Sequence, residues 1–236
     1  MGPREETRLG LSAVGLSDLY VEPSRAYLEA RGAEVRLGEP VTGFDLRGED
    51  CCGVLLRDGT RLNAQAVVSA LPHTVLPPLR PGLDSLRDLR TSPIVSINVW
   101  FDRPVMPEPV AGLLGTECQW AFNRSMILNA WERPCVALVI SAASGHVHLP
   151  QKDLIRLAVD DIRRLFPDAR TACVTRAFAV KERDATLSPA VGIFRPKQQS
   201  PWRNLFLAGD WTDTGLPATI ESAVISGHRC AEMILS

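Results

Sequence analysis

Apolar and polar positions change period several times along the chain, and each change predicts an element. In SDLYVEPSRAYLEARG, Ser17 to Gly32, a Ser or Asp cap candidate, apolar Leu19, Tyr20, Tyr27 and Leu28, and a closing Gly predict a helix started or interrupted near Pro23. EVRLGEPVTGFDLRG, CGVLLRDGTRLN and AQAVVSALP follow as short apolar runs and predict a β-meander ending in a buried strand, Ala66 to Leu71. Asp58-Gly59 between two of these runs predicts a tight hairpin of type I′, which needs positive φ at both central residues.

SPIVSINVWFDRPV then alternates over Val95, Ile97, Val99 and Phe101, and CVALVISAAS is one continuous apolar run; both predict strands. QKDLIRLAVDDIRRLFP, Gln151 to Pro167, sets Leu154, Leu157, Ala158, Ile162 and Leu165 on one face of an amphipathic helix that stops at Pro. TACVTRAFAVKERDATLSP returns as a strand. A run with Pro77, Pro78 and Pro81, and later RPKQQSPWRN, are the expected crossings between two domains.

Composition narrows the class. The 236 residues are enough for one large domain or two small ones, with 45% hydrophobic and 22% charged residues. Lys plus Arg is 26 against Asp plus Glu at 27, so no net field recruits nucleic acid. The six cysteines show no paired metal or redox spacing and read as reduced thiols of a cytoplasmic protein. MGPREETRLG lacks the apolar core of a signal peptide, and no apolar run nears the ~18 residues of a membrane span. The expectation is a soluble or at most peripheral protein.

The chemistry concentrates near the C-terminus, in NLFLAGDWTDTGLPATIESAVISG. Leu205 to Ala208 predicts a short buried strand, Gly209 a tight turn close to a ligand, and Asp210 a carboxylate at the strand's carboxyl end, where open α/β sheets bind ligands. From Pro217 onward Ile220, Ala223, Val224, Ala231, Ile234 and Leu235 keep helical spacing, so the amides of Thr219, Ile220 and Glu221 sit at a helix N-terminus that favours an anion or electron-rich ring. On the pattern alone, an ordinary β-α unit with Asp210 capping its loop stays open beside the ligand-site reading.

That stretch closely resembles the C-terminal flavin motif of the FAD-dependent amine oxidase and carotenoid desaturase superfamily. Together with GLSDLYVEPSRAYLEARGAEVRLGEPV, it looks most like the squalene-associated FAD-dependent desaturases, described as hydroxysqualene dehydroxylases of hopanoid and squalene biosynthesis. The resemblance implies an α/β (α+β) fold with a partial FAD-binding Rossmann-like domain carrying the meander, over 17–80 and 200–236, and a mixed-sheet substrate-binding domain over 81–199, after a tail 1–16. It implies FAD as cofactor, with Gly209 and Asp210 on the ribitol-phosphate side, Thr219, Ile220 and Glu221 at the pyrimidine end of the ring, Val41 near the adenine, and Trp211 as a flavin or substrate contact. The implied reaction is flavin hydride transfer that reduces hydroxysqualene, an isoprenoid, to squalene; desaturation of a carotenoid-like polyene is the alternative within enzymes. A long isoprenoid substrate makes peripheral membrane contact plausible.

One departure is large. The superfamily opens with GxGxxG, and this chain has no two glycines separated by one residue. The expectation is that the chain corresponds to a C-terminal portion that works with an N-terminal partner, and a non-catalytic half or remnant is the reading from another class. Other candidates are thin: His146 and His148 in GHVHLP are expected as solvated loop histidines rather than metal ligands, and no metal site is expected. His73 is expected in a loop near the cofactor edge, Trp100, Trp120 and Trp131 as core or pocket wall, and Lys181, Arg183 and Asp184 as a surface charge cluster. Ser69 and Ser226 lack a nucleophile-elbow context, and no residue stands out as a general acid.

Overall fold

The computed structural model describes residues 10–79, 83–128 and 133–236; Pro81, Trp131 and the opening MGPREETRL lie outside the described residues. The chain divides into two compact units: the described residues up to Val35 with Ser92–Arg183, and Arg36–Thr91 with Asp184–Ser236.

The first unit is built on a five-stranded sheet. Its strands are β5 (Thr91–Phe101), β6 (Val110–Gly112), β7 (Trp120–Asn123), β8 (Cys135–Ile140) and β9 (Val174–Leu187), in the order β6-β7-β8-β5-β9. The β5–β8, β7–β8 and β6–β7 pairs are antiparallel. The period-two alternation of β5 sends Val95, Ile97, Val99 and Phe101 into one core with Val136, Leu138 and Ile140 of β8. Helix α4 (Gln151–Leu165) closes that core with Leu154, Ala158 and Ile162, residues four apart that stack on one face. Val159 is buried as well, whereas Leu165, expected on the inner face, is 38% exposed because the helix is ending there. Asp153 in its first turn and Arg163 and Arg164 in its last complement the helix dipole.

Before the sheet, a π turn over Ser17–Val21 runs into α1 (Glu22–Glu29), with Pro23 in the first turn as its missing amide allows. The expected apolar face of this helix is not buried: Leu19, Tyr20, Tyr27 and Leu28 are all exposed, and the Tyr27 ring instead carries the Arg31 guanidinium 3.4 Å from its centroid.

The second unit begins with the meander β1 (Val41–Arg47), β2 (Asp50–Leu56) and β3 (Arg61–Asn63), paired in that order. Only Gly59 takes positive φ (88°) between β2 and β3, so the turn is not type I′. A longer loop forms instead, in which the Asp58 carboxylate accepts from the Thr60 amide at 2.9 Å and the Leu56 amide donates to Thr60 O at 2.9 Å. Strand β4 (Val67–Ser69), shorter than the expected Ala66–Leu71, pairs in parallel with β10 (Leu205–Leu207). Helix α2 (Leu76–Leu79) contributes Leu76 to a core with Leu205, Leu207 and Trp211.

The C-terminal helix α5 (Ile220–Leu235) differs from its expected packing. Ser222, Ser226 and Cys230 are its buried residues, while Ile220, Val224, Ala231, Ile234 and Leu235 are exposed. Small side chains four apart let the helix approach β10 closely: Cys230 packs with Phe206 and Ala208, and its thiol lies 3.5 Å from Leu207 O. Among the described residues no helix is long and apolar enough to cross a membrane.

Candidate functional site

The C-terminal ends of β4 and β10 lie side by side, and the chain leaving each builds one wall of a cavity of about 260 Å³. Ala70 to Thr74 follow β4, and Gly209, Asp210 and Trp211 follow β10; Asp184 and Thr91 complete the rim. The Thr91 hydroxyl donates to the Asp184 carboxylate at 2.5 Å, which fixes Asp184, one member of the expected surface cluster, on the cavity wall.

Gly209 holds the turn. Its φ is 148°, and a Cβ there would overlap the Trp211 indole, which folds back over the glycine. That indole is 2% exposed and donates from Nε1 to Leu71 O at 3.1 Å, across 140 positions of chain. Gly209's own polar groups are used internally: its amide donates to Ser226 Oγ at 2.8 Å, and its carbonyl accepts from Thr212 N at 3.1 Å and Thr212 Oγ1 at 2.8 Å. Trp211 thus acts first as a clamp between the two strand ends. Asp210 is half-buried on the cavity wall, and among the described residues no hydrogen bond engages its carboxylate.

The loop from Asp210 to Leu216 is braced by a residue the sequence reading did not single out. Arg195 donates from Nη2 to Asp210 O at 2.5 Å, from Nε to Trp211 O at 3.3 Å, and from Nη1 to Leu216 O at 2.5 Å. The planar fork of a guanidinium is suited to several fixed carbonyls at once. Ser222 and Thr214 share a hydrogen bond of 2.6 Å inside the loop, and Gln198 donates to Thr212 Oγ1 at 3.0 Å. Nothing local in the sequence announces Arg195 and Gln198, because both lie in the segment that precedes β10.

Helix α5 starts at Ile220, three residues later than Pro217. Thr219 is the cap, its hydroxyl accepting from the Ser222 amide at 3.2 Å. Ile220 and Glu221 follow in the exposed first turn, outside the cavity wall, to which Ala223 contributes. Val41 lines a second cavity of about 530 Å³ with Phe44, Val54, Val67 and Val68; the two cavities share Ala70 and Leu71. The structure therefore brings Gly209, Asp210 and Trp211 together, sets Val41 on the wall of the adjoining cavity, and leaves Thr219, Ile220 and Glu221 at a solvent-facing helix terminus.

His73 is more deeply placed than a loop histidine. It is 5% exposed, its ring centroid lies 6.1 Å from that of Trp211, and its Nε2 is buried without a hydrogen-bond partner among the described residues. Desolvation by burial holds its pKa below 6.5, against the opposing pull of a hydrogen bond with the Leu89 backbone and of the Asp210 and Asp184 carboxylates. The ring is neutral at pH 7. Ser69 Oγ, at the end of β4, is likewise buried without a partner among the described residues. Two orphaned polar atoms near one strand end are unusual in a settled core.

The other candidates stay apart from this site. His146 lies in a turn with Nε2 3.0 Å from the exposed Glu117 carboxylate, and no group of three or more metal-capable side chains occurs among the described residues. All six cysteines are free thiols; burial pushes Cys135 up to about 11 and raises Cys51, Cys118 and Cys230, so none of these four offers a thiolate near pH 7.

Comparison with known proteins gives this geometry its context. The family described as flavin containing amine oxidoreductase matches residues 3–235. Proteins named hydroxysqualene dehydroxylase from Sinorhizobium fredii and Rhodopseudomonas palustris are 32% and 34% identical, each over 94% of this chain and 51% of the relative. A 15-cis-phytoene desaturase of Solanum lycopersicum is 25% identical over 90% of this chain and 40% of its own length. The chain thus spans about half the length of these two dehydroxylase relatives. Among solved structures, an oxidoreductase from Methanosarcina mazei superposes with a TM-score of 0.68 at 17% identity, covering 88% of this chain and 52% of that one. A putrescine oxidase superposes at 0.65 with 14% identity, over 88% of this chain and 51% of that one.

Proposed function

Because the chain belongs to the flavin-containing amine oxidoreductase family, we propose that it forms the substrate side and part of the flavin side of an FAD-dependent oxidoreductase that reduces hydroxysqualene to squalene. The observation that carries this reading is the Gly209-Asp210-Trp211 turn, which closes a cavity at the carboxyl ends of two parallel strands and leaves an unengaged carboxylate on its wall.

These residues fit one side of FAD. The Asp210 carboxylate can accept from ribityl or ribose hydroxyls, the amides of Ile220 and Glu221 lie in a first turn whose partial positive charge favours an electron-rich ring, and Val41 offers an apolar contact to adenine. The Gly209 amide is already committed to Ser226, so Gly209 serves by letting the backbone pass under Trp211 rather than by donating. No segment of the sequence supplies a glycine-rich turn for the pyrophosphate, so that contact belongs to an N-terminal partner or segment. When bound, FAD supplies the hydride chemistry. The chain's own part is to orient and to exclude water. Arg195 holds the loop that carries Asp210, Trp211 and Leu71 shut one wall, and neutral His73 adds no positive charge there.

The phytoene desaturase match favours a second reading, the same transfer run toward an oxidised polyene. Absorption spectroscopy of the purified chain after FAD is added and excess removed tests the flavin part. Flavin bands that survive desalting and weaken in Asp210→Ala support it; a colourless protein, alone and with the N-terminal half of a relative, refutes it. Squalene formation from hydroxysqualene against polyene formation separates the two reactions.

A further inference from the structure

Strand β9 stands at one edge of the five-stranded sheet and runs for 14 residues, where about 3–10 are usual. Its first nine residues, VTRAFAVKE, alternate in direction. Ala177 and Ala179 pack on the core that α4 closes, and Lys181 turns to the same side, donating to Leu149 O at 2.5 Å. Arg176, Phe178, Val180 and Glu182 therefore point to the opposite face. There the Arg176 guanidinium lies 5.2 Å from the centroid of Trp100 on β5 and 5.7 Å from that of Phe178. Val180 is 40% exposed. Glu182 is exposed too, and among the described residues no ion pair or hydrogen bond engages its carboxylate.

An edge strand offers a row of backbone donors and acceptors to any passing strand, and is normally blunted by proline or by charges standing over the edge. VTRAFAVKE holds no proline, and its one lysine is folded inward. The order of the outward side chains says which strand fits. Read in reverse, Arg176, Phe178, Val180 and Glu182 set an anion against a cation and an apolar residue against an apolar one, so this face is complementary to itself. With Ala179 on a two-fold axis, Arg176 stands opposite Glu182 of a second copy and Phe178 opposite its Val180, and symmetry makes each pair twice. Lys181 then stands opposite the small Ala177 and does not obstruct the approach. A slip of two residues one way sets Arg176 against Val180, and the other way sets Phe178 against Glu182. A slip of one residue would send paired side chains to opposite faces. The guanidinium over Trp100 keeps N–H donors for a carboxylate.

We propose that β9 is a self-association edge: two copies of this chain pair β9 with β9, antiparallel about Ala179, and join their five-stranded sheets into one of ten strands. The inference goes beyond the flavin reading and depends on neither cofactor nor substrate.

Sedimentation velocity of the purified chain without FAD, repeated over a range of concentrations, tests it. A reversible dimer is expected, with amide exchange across residues 174–182 slowing as it forms. Glu182→Arg sets like charges opposite each other at two places and is expected to raise the dimer Kd about tenfold or more. Arg176→Glu should do the same. The two together restore opposite charges in the same register and should return Kd to within about threefold of the unaltered chain. Glu108→Arg, an equal change of charge at an exposed position outside the strand, should leave Kd unchanged. A chain that stays monomeric at every concentration overturns the proposal. So does a dimer indifferent to Glu182→Arg, or one that the double exchange fails to restore. Should circular dichroism show a variant unfolded, the unaltered chain decides alone: a dimer that leaves exchange across 174–182 unchanged overturns the proposal.

Discussion

Replacing Gly209 with alanine tests whether the turn is held by the Trp211 clamp. A non-glycine residue at φ 148° costs about 1–3 kcal/mol in backbone strain. The added Cβ also meets the indole, whose displacement would cost the Nε1 hydrogen bond to Leu71 O, about 0.5–1.5 kcal/mol net, and overpack a core site for another ~1–3 kcal/mol. The expected loss is about 2.5–7.5 kcal/mol, a large share of a typical domain's total. Gly59→Ala is the control: φ there is 88° with nothing within 4 Å of the new carbon, so only strain of about 1–2 kcal/mol is expected. Urea unfolding followed by circular dichroism, in both the native and the Trp211→Ala backgrounds, completes a double-mutant cycle. Without the indole, Gly209→Ala should lose the clash and keep the strain, giving a coupling of about 2 kcal/mol. If the substitution costs the same in both backgrounds, the clamp is not what requires glycine.

Three further outcomes are expected. Arg195→Ala should destabilise the second unit by about 2–4 kcal/mol by leaving the carbonyls of Asp210, Trp211 and Leu216 short of a donor, and Arg195→Lys should recover only part of that because an ammonium cannot span all three; urea midpoints of the two variants decide it. Burial keeps the folded pKa of His73 below 6.5, so the unfolded chain takes up a proton that the folded chain refuses: stability from this group is whole above about pH 6.5 and is lost as pH falls through that value toward the folded pKa, with Asp184 and Asp210 facing the ring and limiting the effect. His73→Phe should flatten the stability curve between about pH 7 and 5, and an unchanged slope would refute the assignment. Leu154→Ala should cost about 2–5 kcal/mol in the first unit, read by hydrogen exchange of the α4 and β8 amides, while exchange around β10 stays the same.

How far the sequence could be read depended on how local each signal was. The alternation of β5 and the four-residue spacing of Leu154, Ala158 and Ile162 are repeated within one element, so period alone gave them away. The strand, Gly-Asp turn and helix at the C-terminus were legible for the same reason. Short β6 and β7 were not, since three or four residues around Gly112 and Trp120 hold no period. The buried stripe of α5 was misjudged because hydrophobicity pointed to Ile220 and Val224, whereas close approach to β10 selects the smaller Ser222, Ser226 and Cys230. Arg195 and the depth of His73 were out of reach: both depend on partners far away in the chain, and a charged or titratable residue reads as surface until those partners are known.

The parallel pairing of β4 with β10 also orders events in time. Val67 meets Leu205 only after everything between them has been made, and the second unit is assembled from two separate stretches, Arg36–Thr91 and Asp184–Ser236. The run Ser92–Arg183 is continuous and carries most of its own sheet and α4, so on the ribosome it can fold while the earlier stretch waits with its meander formed but its strand end unpaired. The Asp210 cavity is therefore completed only after the whole Ser92–Arg183 run has been made, and a chain that stops before Leu205 would display an open apolar strand to chaperones and proteases instead of a binding site.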